Sequence, residues 1–120
     1  MGILYIKDMS EHYITFSYEV LIDSINQFLI LTKDHKQGSV LKMIQIILNI
    51  NSKLKEIESN KEIDNSSEYK MSVIKFADEC RDKIENIFSG RIPTPETTKL
   101  RGMAISITGQ YQDIVKILYT

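Results

Sequence analysis

Residues Ser39–Ser59, SVLKMIQIILNINSKLKEIES, constrain the fold of this chain more than any other stretch. At ~100° per residue, the polar side chains Lys42, Gln45, Asn49, Ser52, Lys53 and Glu56 fall in one narrow stripe. The rest of the first half is apolar: Val40, Leu41, Met43, Ile44, Ile46, Ile47, Leu48 and Ile50. A helix this oily around its circumference has to be covered from several directions at once. It reads as the central helix of a small bundle. Its flank residues Met43, Ile46 and Ile50 exceed what a regular bundle needs to bury. Either an N-terminal segment covers them or a second chain does, and an exposed patch of that size marks an interaction site.

Three further segments carry helical spacing. Ile14, Tyr18, Leu21, Ile25, Phe28 and Thr32 recur at intervals of three and four up to Lys33. The D-x-x-E spacing of Asp8-Met9-Ser10-Glu11 predicts a helix start near Met9, which leaves GILYIK (residues 2–7) as a strap or short strand. A rival pattern overlaps, because Ile14, Phe16, Tyr18, Val20 and Ile22 alternate as a strand would, which would pair residues 13–22 with 3–7 as a hairpin. The uninterrupted three–four spacing favours the helix. Beyond DHKQG, Ser39 is the expected cap of the central helix. Asn65-Ser66-Ser67-Glu68 predicts the start of a third helix, with the stripe Val73, Ala77, Cys80, Ile84 and Ile87. Thr94-Pro95-Glu96 opens a fourth, with core positions Leu100, Met103, Ala104, Ile107, Tyr111, Ile114 and Leu118. The expected fold is all-α: an antiparallel four-helix bundle with a short N-terminal strap, one domain over residues 1–120. The alternative is α+β with an N-terminal hairpin.

Charge narrows the partners. Fifteen basic against sixteen acidic residues give a net charge of −1, so no whole-protein field draws the chain to nucleic acid or to an anionic bilayer. By segment, only residues 91–120 are positive, by two charges. No stretch approaches the ~20 apolar residues of a membrane span, and MGILYIKDMSEH lacks the features of a signal peptide. One cysteine, Cys80, makes no internal disulfide, and a cytoplasmic location is expected.

Chemical motifs are sparse. His12 and His35 sit near opposite ends of the first helix, and no metal-ligand or phosphate-loop spacing occurs. No cofactor and no catalytic role are expected. Cys80 lies at the centre of an apolar stripe and reads as a small buried hydrophobe with a raised thiol pKa. Asp78, Glu79, Asp82 and Glu85 are interleaved with Lys75, Arg81 and Lys83, the pattern of a solvated face. Asn51 projects to the apolar side of the central helix, where a buried amide fixes register. On the back of the last helix Gly102, Ser106 and Gly109 form a bare strip with Ile105 beside it. Interior glycines cost ~1 kcal/mol each relative to alanine, and they let another backbone approach. That neighbour is either the N-terminal strap or a partner protein.

Short bundles of this size resemble, in architecture alone, small bacterial immunity proteins and secretion chaperones. The function expected first is therefore a non-catalytic protein-binding module that occludes a partner, as a toxin-neutralising immunity protein or antitoxin does. Its expected contact residues are Met43, Ile46, Ile50, Gly102, Ile105, Ser106 and Gly109. A homo-oligomer or a subunit of a larger assembly is the second expectation. Weak nucleic-acid binding through Arg91, Lys99, Arg101 and Lys116 is the least favoured, and no membrane partner is expected.

Overall fold

The computed structural model describes the backbone of residues 2–60 and 66–119, with the side chains of residues 16–59 and 66–119. Four helices follow one another: α1 (Gly2–Thr32), α2 (Gly38–Asn60), α3 (Ser67–Ile87) and α4 (Pro95–Tyr119). The chain is all-α. Residues 13–22 are helical, so the three–four spacing prevails over the alternation. The hairpin alternative falls with it.

Helix starts and stops follow local chemistry. At α4 the Thr94 hydroxyl accepts from the Thr97 amide at 3.1 Å, and Pro95 occupies the first helical position where an amide hydrogen is not needed. At α3 the cap is Ser66, whose hydroxyl accepts from the Tyr69 amide at 3.2 Å; the capping role expected of Asn65 lies outside the described residues. Ser39 does not cap α2. Helical bonding begins earlier, with the Leu41 amide donating to the Gln37 carbonyl at 3.0 Å, which places Ser39 inside the first turn. Nor does Asp8 start α1, which runs unbroken from Gly2. The strap is therefore the first two turns of α1, because an apolar run without Gly or Pro extends a helix more readily than it stops for a short capping signal. The side chains of that stretch, Ile14 included, lie outside the described ones.

Connections as short as residues 33–37 and 88–94 return each helix beside its predecessor. Gly90 makes the second return possible: its φ of +73° lies in the left-handed region, where a side chain would be strained. Both α2 and α4 pack against all three other helices, whereas α1 and α3 face each other across the core without close approach. This arrangement covers the broad apolar face of α2. Val40, Met43, Ile46, Ile47, Ile50, Leu54 and Ile57 are all buried, on one face spanning about 120° of the helix, while Leu41 and Leu48 on the far side stay exposed.

The core closes around Tyr111, the largest fully buried side chain. Its hydroxyl donates to the Val73 carbonyl on α3 at 2.8 Å, and Phe76 meets its ring edge-on at 5.7 Å. Lys53 of α2 lies over the Phe76 ring, 5.1 Å from the centroid. The stripes on α3 and α4 are buried as expected, except that Ile87 and Met103 are half-buried and Leu118 is exposed. Thr97, Thr108 and Val115 join them. Among the described residues, no helix is long and apolar enough to cross a membrane.

Candidate docking site

The packing of α2 decides the fate of the first expected contact residues. Met43 and Ile50 are wholly buried, and Ile46 retains 7% of its surface. α1, α3 and α4 cover these three flank residues within one chain, whereas Leu41 and Leu48 of the same helix stay exposed. Ile46 shows its edge at the floor of a groove between α2 and α3 walled by Gln45, Asn49, Lys83 and Asn86. Asn51 is half-buried rather than central to the core, at the margin of the apolar face.

The small-residue strip on α4 divides. Ile105 and Gly109 are half-buried on the flank that turns towards α3. On that flank, one turn before Ile105, Arg101 pairs with Glu85, and further on the Gln112 amide donates to Asp78 at 3.3 Å. Gly102 and Ser106 are exposed on the other side, where they meet α1. With Ser24 and Gln27 of α1, and Lys99 and Met103 of α4, they line an open groove of about 440 Å³. A Cβ added at Gly102 or at Gly109 meets nothing within 4 Å. Neither glycine is therefore required by close packing among the described residues.

Sequence reasoning missed the α1 stripe that carries Ser24 and Gln27 past this groove. Phe16, Val20, Ser24, Gln27 and Leu31 recur on α1 at intervals of four, four, three and four, one position out of step with the core stripe Leu21, Ile25, Phe28 and Thr32. Phe16 is 65% exposed and Leu31 50%, and Val20 is exposed as well. Within this stripe the Ser24 hydroxyl donates back to the Val20 carbonyl at 2.9 Å, and the Gln27 amide reaches Asp23 at 3.2 Å. The signal was present in the sequence, but Phe16 and Val20 also belong to the strand-like alternation and were weighed only there.

The remaining candidates separate. Cys80 is buried, and burial pushes its thiol up to about 11 against the opposing pull of Lys83. Burial likewise holds the Tyr111 phenol above its ordinary range, and desolvation followed by the neighbouring Glu58 carboxylate raises Tyr18. Of the acidic groups of α3, Asp78 pairs with Arg81 at 3.8 Å and Glu85 with Arg101. His35 lies beyond α1, in the connection to α2, and contacts Glu96 at 3.0 Å. Of the cations expected for nucleic acid, Arg91 and Lys99 lie at one end of the bundle, Arg101 turns to α3, and Lys116 lies ~25 Å beyond Lys99 along α4. Among the described residues, no three His, Cys, Asp or Glu side chains stand together as a metal cage. The groove offers hydroxyls, an amide, an ammonium and apolar shoulders. No protein-family model matches the chain, and no curated protein or solved structure is significantly similar to it.

Proposed function

We propose that this chain is a non-catalytic protein-binding module of the cytoplasm that occludes a partner's surface, as an immunity protein or antitoxin occludes its toxin. Its docking face is the outward seam between α1 and α4. The observation that carries this reading is the line of Phe16, Val20 and Leu31, large apolar side chains at helical spacing left open to water. Burying Phe16 and Leu31 against a partner supplies about 1.5–3 kcal/mol each, enough for two anchors of a modest interface. Between them the floor at Ser24, Gly102 and Ser106 is low, so a helix or strand of the partner can approach the backbone of α4. The buried free cysteine suits a reducing compartment.

Substitution on the seam tests the idea. Phe16→Glu and Leu31→Glu should each keep the melting temperature of the parent, because neither side chain is buried, while the partner captured from the native host is lost. Undiminished capture by both variants contradicts the proposal. Sedimentation at low micromolar concentration is the companion measurement. A monomer is expected; a dimer that the same substitutions dissociate would reassign the seam to self-association.

A further inference from the structure

Folding polarises the charge of this nearly neutral chain along its long axis. The α1–α2 and α3–α4 connections lie at one end of the bundle, where His35 of the first contacts Glu96 just after the second. This end gathers Lys33, Lys36, Lys42, Lys83, Arg91 and Lys99 against Asp34, Glu85 and Glu96, an excess of three positive charges. All nine are exposed. The rest of the chain keeps thirteen acidic and nine basic residues. The same end carries the most exposed apolar side chain of the described residues, Ile92 at 97%, with Leu31 and Leu41 within about a turn of the helix ends. Arg91, Ile92 and Pro93 stand together at the tip of the α3–α4 connection.

We propose that this end docks peripherally on an anionic lipid bilayer, with Ile92 entering the interface and the lysines and Arg91 resting among acidic headgroups. Shape favours a bilayer over a second protein. The bundle measures 54 × 27 × 21 Å, so its end is the smallest face it could give to a protein interface of roughly 800 Å² per partner. A bilayer asks for no complementary shape, only for charge at the surface and apolar groups in the outer few ångströms. The apolar tip also favours lipid over nucleic acid, whose phosphates would leave Ile92 in water. Each basic residue at an anionic surface multiplies affinity about fivefold. Burial of one isoleucine adds roughly tenfold or more. Three net charges and Ile92 together give on the order of a thousandfold over a neutral, polar end. Docking is distinct from crossing, for which no described helix is long and apolar enough.

Flotation of the purified chain with phosphatidylcholine vesicles, with and without phosphatidylserine, tests the proposal. The chain should float at low salt only with vesicles containing phosphatidylserine, and added salt should release it. Ile92→Asp should lower that binding at least about tenfold, and Lys36→Gln or Arg91→Gln about fivefold each, all with unchanged melting temperatures. Failure to float with phosphatidylserine at low salt overturns the proposal, as does equal flotation without it. Flotation that these three substitutions leave untouched overturns it too. Tighter binding of a labelled duplex, insensitive to Ile92→Asp, would assign the charged end to nucleic acid instead.

Discussion

Cys80 shows how far burial alone sets the chemistry of a side chain. It sits at the centre of the α3 stripe with 2% of its surface exposed, and its thiol is pushed from an ordinary 9.0 up to about 11. The cost falls on the thiolate, since low-polarity surroundings disfavour the charged form. Linkage then has a definite sign. The unfolded thiol loses its proton near 9, whereas the folded one holds it to about 11. The contribution to stability is complete below pH 9 and is lost as the pH rises through 11. Replacing Cys80 by alanine should therefore flatten the decline of stability over that interval, as followed by urea denaturation at stepped pH. An equally steep decline in the variant would show that another group is responsible. At neutral pH the native thiol should resist alkylation until the chain unfolds.

At the scale of the helix, two glycines of α4 and one at the end of α3 make opposite predictions. Gly102 and Gly109 have room for a Cβ and lie inside a helix, so alanine at either should raise stability by up to about 1 kcal/mol. Gly90 also has room, but its φ of +73° belongs to the left-handed region, and alanine there should lower stability by about 1 kcal/mol. Thermal melts of the three variants distinguish space from backbone geometry. Destabilisation by Gly102→Ala would mean that something presses on the strip. The same comparison explains what was legible in the sequence. Periodicity located all four helices and most of their buried faces, because a stripe at three–four spacing has one physical meaning. Termini were less legible. Ser39 and Asp8 are cap-type residues that the helix simply runs through, since propensity on both sides outweighs one side-chain hydrogen bond.

For the whole molecule, the misjudged quantity was coverage. The sequence displays how much of α2 is apolar but not how many neighbours it has. A regular square bundle gives each helix two, whereas here α2 and α4 approach across the diagonal and each acquires a third. With three neighbours around α2, Met43, Ile46 and Ile50 become core, while Leu41 and Leu48 stay in water. The opposite error fell on α1, whose outward stripe was hidden by its mixture with polar residues. Charge behaved in the same way. Counting along the chain split the basic end between two distant segments, and only the fold reunites Lys36 with Arg91.

One chain is sufficient to seal Met43, Ile46 and Ile50 of its own second helix. Native-state hydrogen exchange of the dilute monomer tests it most directly, at the amides of Met43, Ile46 and Ile50. The account predicts protection limited only by global unfolding, independent of protein concentration. Rapid exchange at these amides, slowed only when the chain self-associates, would contradict it.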